Sequence, residues 1–198
     1  MKFEESYFAG AVALWTEWNG KINVISRKDM ENVFTHHVLH SLAIAEYLSV
    51  QGLLPDSGTV LDLGTGGGFP GIPLAMVMPG VDFTLCDSIG KKIKVAQAVA
   101  DGLDLKNVRC VNARAETITG PFDWIVSRAV TSLDNFYPWV RGKFTKGILY
   151  LKGGDVNPEI SEMCRHYKVD PSKITVWPVQ EWLDDDYFKE KFVIHIRK

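Results

Sequence analysis

The sequence predicts an α/β fold, a mostly parallel seven-stranded sheet with helices on both faces and an N-terminal helical extension. Three observations carry this prediction. From residue 60 onward, short apolar runs bounded by turn residues alternate with amphipathic runs, the pattern of repeated β-α units. A glycine-rich loop joins the first of these runs to a helix-like segment, as in nucleotide-type cofactor sites. The last two runs alternate like a hairpin pair at a sheet edge.

Each element follows from local chemistry. Residues 1 to about 50 read as helical. Tyr7, Phe8, Ala11, Val12, Leu14 and Trp15 form one apolar face. A second helical segment runs from about Asp29 to Leu48 with Val33, Phe34, Val38, Leu42, Ala45 and Leu48 apolar, and Asn19-Gly20 marks a turn between the two. Leu54-Pro-Asp-Ser-Gly58 is a boundary loop, dividing an extension over 1–54 from a core over 55–198. Predicted strands cover 60–63, 82–86, 108–111, 122–127, 147–152, 173–179 and 189–197. Predicted helices cover 72–78, 91–103 and 133–141.

Composition bounds the function. The 198 residues are 46% hydrophobic and 23% charged with a formal net charge of −2, so any nucleic-acid contact needs a local basic surface. Three isolated cysteines form no disulfide framework and fit a reducing, cytoplasmic setting. Cys86 and Cys110 fall in predicted strands, as core residues do. The longest early apolar run, Phe8 to Trp15, is too short to span a bilayer.

The most informative segment is Val60 to Pro73. Gly64, Gly66 and Gly68 alternate after an apolar strand, leaving the backbone free to turn and to approach a ligand closely. Pro70 suits a first helical turn. Phe69 stands where a dinucleotide fingerprint needs its last glycine. The pattern present, Asp62-x-Gly64-x-Gly66-x-Gly68, resembles motif I of Rossmann-like class I SAM-dependent methyltransferases (SAM is S-adenosylmethionine). A carboxylate at Asp62 is suited to a cationic ligand end lying over the loop, and Gly64, Thr65, Gly66, Gly68 and Phe69 are its candidate cofactor contacts. Asp87, at the tip of the next strand about 20 residues on, is placed to accept ribose hydroxyls, with Ser88 beside it; a helix cap is the competing role. Ala115 and Glu116 follow the third strand beside the expected adenine position, where a helix start with an early acid fits the spacing equally well.

The acceptor end is defined by what it lacks. Ser127-Arg128-Ala129 follows the fourth strand, without the Asn/Asp-Pro-Pro-Tyr/Phe tetrad of amino-group methylation; Asn157-Pro158 comes after the fifth strand and lacks the second proline. No cysteine stands at either tip for pyrimidine C5 chemistry. Guanine N7 carries a lone pair and no proton, so its methylation needs placement and no general base. Arg128 is then a positioning residue, a clamp on the SAM carboxylate or an RNA phosphate. Lys21, Arg27, Lys28, Lys91, Lys92 and Lys152 are candidate RNA contacts. Trp15, Trp18 and Tyr7 are candidate base stackers, with core burial as the default. His36 and His40 share a helix face, but no third ligand cluster has zinc spacing, so no metal is expected.

Together Trp18-Asn-Gly-Lys-Ile-Asn-Val-Ile-Ser26, His37-Val-Leu-His-Ser-Leu42, Leu61 to Leu74, Leu85 to Lys92, Ser127-Arg128-Ala129 and Leu151-Lys-Gly153 resemble the glucose-inhibited division protein B family. That resemblance implies methylation at N7 of a guanine in 16S ribosomal RNA near the decoding site, by a cytoplasmic monomer acting on the RNA or the small subunit. It assigns SAM binding to Gly64, Phe69, Ala115, Glu116 and Arg128. The chain departs from the family at His36-His37-Val38-Leu39-His40-Ser41, where many members carry Arg-His-hydrophobic-hydrophobic-Asp-Ser. Three other activities remain in view: a small-molecule methyltransferase, a dinucleotide oxidoreductase and a SAM/RNA-binding module without turnover.

Overall fold

A computed structural model describes residues 1–128 and 130–198. Seven strands form one sheet: β1 (Gly58–Leu63), β2 (Val81–Asp87), β3 (Val108–Asn112), β4 (Phe122–Arg128), β5 (Phe144–Gly153), β6 (Ile174–Pro178) and β7 (Lys191–Arg197), in the order β3-β2-β1-β4-β5-β7-β6. β1 to β5 pair in parallel, and β7 runs antiparallel to both β5 and β6. The strand order reverses between β1 and β4, so a crevice opens at the C-terminal tips of these two strands. The predicted edge pair forms: β6 and β7 lie antiparallel at one edge, with β6 outermost and β7 against β5.

Among the described residues six α-helices accompany the sheet: α1 (Glu5–Asn19), α2 (His40–Val50), α3 (Gly71–Val77), α4 (Gly90–Gly102), α5 (Leu133–Val140) and α6 (Asn157–Tyr167). The segment predicted as one helix from Asp29 is three pieces: a 3-10 turn over Arg27–Asn32, a π-helical stretch over Val33–Leu39, then α2. The sequence reading omits α6, although Ile160, Met163, Cys164 and Tyr167 recur at helical spacing and pack on the core.

Two apolar layers sandwich the sheet. One gathers Phe8, Ala11 and Trp15 of α1 and most of α2 with β1, β2, α3 and α4; the other gathers α5 and α6 against β4, β5 and β7. The N-terminal segment therefore contributes to the same core as the sheet. Trp15 is fully buried, stacks on Phe69 with ring centroids 4.2 Å apart, and donates its indole N–H to the carbonyl of Gly67 at 2.8 Å. Burying a side chain of this size stabilises by about 2–3 kcal/mol, and here that energy clamps the glycine loop. Trp15 is thus closed to base stacking. Trp18 is half-buried beneath the Lys21 ammonium, and Tyr7 is exposed with its hydroxyl donated to the Met76 carbonyl.

Candidate active site at the strand tips

The glycine loop between β1 and α3 is tied down from both sides. The Gly64 and Thr65 amides donate to the Cys86 carbonyl at 2.8 and 3.0 Å, and the Gly66 amide donates to Asp87 Oδ2 at 2.9 Å. Gly64 has φ +76° and a Cβ there would lie 2.4 Å from Val130 Cγ1, so both its conformation and its close approach require glycine.

Asp62 departs from the expected position. Its carboxylate is fully buried beneath the loop, not displayed above it. Oδ2 accepts from the Thr65 hydroxyl at 2.6 Å and from the Gly71 amide at 2.8 Å, joining the end of β1, the loop and the start of α3. Burial pushes its carboxyl up to about 7, against the opposing pull of those two bonds. Oδ1 is buried without a partner among the described residues. Thr65 is buried by the same arrangement.

Beside the loop, the tips of β1, β2 and β3 enclose an open cavity of about 250 Å³. Gly64, Asp87, Ser88, Ala115 and Glu116 all line it. Asp87 performs the capping role weighed against ribose binding, since Oδ1 accepts from the Ile89 amide at 2.8 Å just before α4. A carboxylate offers about four acceptor positions, so these two amides leave lone pairs for hydroxyl donors from the cavity. Val130, Trp139, Lys92 and Arg114 complete the wall. Trp139 is absent from the sequence-based site because it belongs to α5, whose placement depends on the tertiary fold. Cys86 also lines the cavity, but burial raises its thiol to about 11 and the Sγ–H faces the Ala113 carbonyl. It is therefore a poor thiolate.

At the β4 tip, Ser127 is buried and donates to the Leu63 carbonyl at 2.7 Å. Arg128 points toward the N-terminal segment. Its Nη2 lies 2.9 Å from His37 Nδ1, and the guanidinium sits 5.0 Å from the centroid of the Phe69 ring. Arginine only donates, so His37 Nδ1 accepts, and Nε2–H donates to Asp29 Oδ2 at 2.7 Å. The imidazole is neutral, held down to about 4 by burial and by the Arg128 charge. Burial raises the Asp29 carboxyl, but bonds to both imidazoles outweigh it and the net shift is downward. His36 closes on the other Asp29 oxygen and stacks on Tyr187 with centroids 3.6 Å apart. Ala129 lies outside the described residues.

His40 is buried against Tyr187 and Phe188 without a partner for either ring nitrogen among the described residues, and burial holds it well below the ordinary histidine range. Elsewhere Asp134, Glu162 and His166 each bring a ligand-type atom within 4.8 Å of the others. Arg165 Nη2 already lies 2.7 Å from His166 Nε2, so the group reads as an ion-pair network.

The basic candidates do not converge. Lys152 is corrected: its ammonium is largely buried, 2.9 Å from Glu159 Oε2 and 2.8 Å from the Thr131 carbonyl, tying β5 to the start of α6. Lys21 pairs with Glu17. Arg27, Lys28 and Lys91 are exposed, and Lys92 reaches the cavity wall.

A parallel sheet with this strand order, a glycine loop after β1 and an acid at the β2 tip define the architecture of a Rossmann-like class I methyltransferase. Solved structures agree on the fold: magnesium protoporphyrin IX methyltransferase from Synechocystis PCC 6803 with bound SAM superposes at TM-score 0.68 with 14% identity, covering 98% of this chain and 94% of that one. The chain is 49% identical to ribosomal RNA small subunit methyltransferase G of Flavobacterium psychrophilum over 193 residues, covering 93% of this chain and 86% of the relative. Its counterpart from Cytophaga hutchinsonii is 45% identical, with 96% and 90% covered. Residues 6–181 match the family described as rRNA small subunit methyltransferase G, and the chain belongs to that family.

Proposed function

We propose that the protein transfers the methyl group of SAM to N7 of a guanine in 16S ribosomal RNA near the decoding site, acting as a cytoplasmic monomer on the RNA or the small subunit. The carrying observation is the β4 tip beside the cavity. It offers a positioned cation and, among the described residues, no free base or thiolate.

SAM supplies an electrophilic sulfonium methyl. The chain supplies the frame around it. Asp87 accepts ribose hydroxyls, Ala115 and Glu116 flank the adenine, and the loop from Gly64 to Phe69 bounds the sulfonium side. The residues fit this ligand: the cavity is open, the loop is pinned from beneath, and Asp87 retains lone pairs. Arg128 uses part of its donor set on His37, leaving other N–H groups for a carboxylate or phosphate oxygen.

The proton inventory favours N7. His37, the imidazole nearest Arg128, has both ring nitrogens engaged and stays neutral, so it takes no proton. An acceptor that loses no proton suits such a site, with catalysis by proximity and alignment. N7 lies on the edge that A-form RNA hides in a deep, narrow groove, so the guanine enters from a loop or flipped out of its stack.

The test incubates the protein with methyl-labelled SAM and small subunits from a strain lacking the homologous enzyme, then reduces the recovered 16S RNA and cleaves it with aniline. Label with one new cut is expected. Label without a cut would overturn N7, and no label on subunits or naked RNA would overturn RNA methylation.

A further inference from the structure

The end of the sheet opposite the cofactor cavity holds a feature that methyl transfer leaves unexplained. α5 and α6 both end there, β5 begins there, and antiparallel β7 finishes there. Between these ends lies an open cleft of about 380 Å³. Arg141, Lys168, Lys173 and the adjacent pair Arg197 and Lys198 line it. Among the described residues the only acid in its wall is Asp170, whose Oδ1 already accepts from the Ser172 amide at 2.9 Å.

For a chain of net charge −2, this is a strong local excess of positive charge. None of the five cations forms a salt bridge among the described residues. Helix ends account for part of it. Arg141 follows α5 and Lys168 follows α6, where the carbonyl-rich C-terminus favours a cation worth about 0.3–1 kcal/mol. Lys173 closes the short 3-10 turn Pro171–Lys173, and Lys198 lies over the Phe144 ring at 5.3 Å from its centroid. Arg197 is held in place, donating to the Thr175 hydroxyl at 2.9 Å and to the Ser172 carbonyl. Tyr137 and Tyr167 form an aromatic wall with centroids 5.4 Å apart. Fixed cations with adjacent aromatic faces suit a ribose-phosphate backbone and its bases.

We propose that this cleft is a second RNA-binding site, taking the phosphodiester backbone of the substrate ribosomal RNA away from the reacting guanine; it rests on the assignment of an RNA substrate above. The end of α5 joins the two sites: Trp139 stands in the wall of the cofactor cavity, and Tyr137 and Arg141 on either side of it in sequence stand in the wall of the cleft. Such an anchor adds affinity through phosphate neutralisation without reading sequence, and leaves recognition of the base to the strand tips.

The test compares wild type with Arg141→Gln/Lys168→Gln/Lys173→Gln, three exposed side chains outside the cofactor site. Binding to 16S rRNA transcribed in vitro and to intact small subunits is measured across a salt series, alongside methyl-transfer kinetics, SAM affinity and melting temperature. With each lost phosphate contact lowering the slope of log K against log salt by about 0.7–0.9, a total reduction of about 2–3 is expected. KM for subunits should rise about tenfold with kcat and SAM affinity unchanged, and the melting temperature should fall by only a few degrees as the two helix-end cations are lost. An unchanged slope and KM would overturn the proposal. Weaker binding to subunits with unchanged binding to naked rRNA would also overturn it, because the cleft would then face a ribosomal protein. The salt slope is read without turnover, so a wild-type protein showing a cleft-dependent slope but no transfer would sink the methyltransferase assignment and leave the cleft standing.

Discussion

The two halves of the strand-tip crevice are built in different ways. The cavity between β1, β2 and β3 draws its loop, the acids Asp87 and Glu116 and most of its wall from one stretch of chain, Leu63 to Glu116, with Val130 and Trp139 added from beyond β4. The β4 tip draws Asp29, His36 and His37 from the N-terminal segment, Phe69 from the loop, Arg128 from β4 and Tyr187 from near the C-terminus. The first half is local and repeats a widespread cofactor frame. The second exists only once the chain has closed on itself. The proposed function assigns cofactor binding to the first half, and the contacts peculiar to this chain's own closure lie in the second.

The largest effect is expected at the second half. Arg128→Ala removes a charge-assisted donor of the kind worth about 1.5–3 kcal/mol and leaves His37 Nδ1 without its partner. Turnover should fall about a hundredfold, with a proportionally smaller loss of thermal stability. Steady-state methylation and a melting curve check this together. Near-normal turnover would mean that the network only fastens the N-terminal segment to the sheet.

A smaller effect is expected at the first half. Asp87→Ala deprives the Gly66 and Ile89 amides of their acceptor and removes the proposed ribose contacts. SAM affinity by calorimetry should weaken about twentyfold, on the order of 2 kcal/mol, with a modest drop in melting temperature from the loosened loop. Loss of stability with unchanged affinity would make Asp87 purely a cap and leave ribose recognition to other groups.

This difference in construction also explains what could be read in advance. The β-α alternation, the glycine loop and the acid after β2 rest on local periodicity and turn chemistry, so the sheet and the cavity-lining residues Asp87, Ser88, Ala115 and Glu116 were legible in the sequence. The Arg128 partners were not, because nothing in local spacing joins Asp29 to residue 128. Spacing places His36 and His40 on one helix face and names no partner for them, whereas the chain there is partly π-helical and the histidines meet Asp29, Arg128, Tyr187 and Phe188. Lys152 reads as a surface cation on a strand end; its burial depends on Glu159 of α6, a helix whose N-terminal Asn157-Pro158 resembles a truncated tetrad in the sequence. Asp62 shows the finer limit. Motif spacing fixes that an acid stands at the β1 tip, but only packing decides whether it faces the ligand or the loop's underside.

Asp62 also provides the subtlest test of the comparison, a change of slope with pH. Its carboxyl titrates near 7 when folded against an ordinary 3.8, so between pH 4 and 7 the folded protein holds more protons here than the unfolded chain. The stabilisation linked to that proton is complete below about pH 4 and is lost as pH rises toward 7. His37 works in the opposite sense, because an imidazole held near 4 against an ordinary 6.5 binds fewer protons when folded and favours the native state increasingly as pH climbs from 4 to 6.5. The two halves of the crevice therefore pull the stability profile in opposite directions over the same interval. Asp62→Asn keeps an oxygen acceptor for Thr65 and Gly71 while abolishing the titration, so its melting temperature should gain on the wild type steadily from pH 4 to 7. Parallel profiles for the two proteins would mean that the carboxyl ionises normally, and therefore that it is reached by water or ligand from the cavity side instead of being sealed beneath the loop.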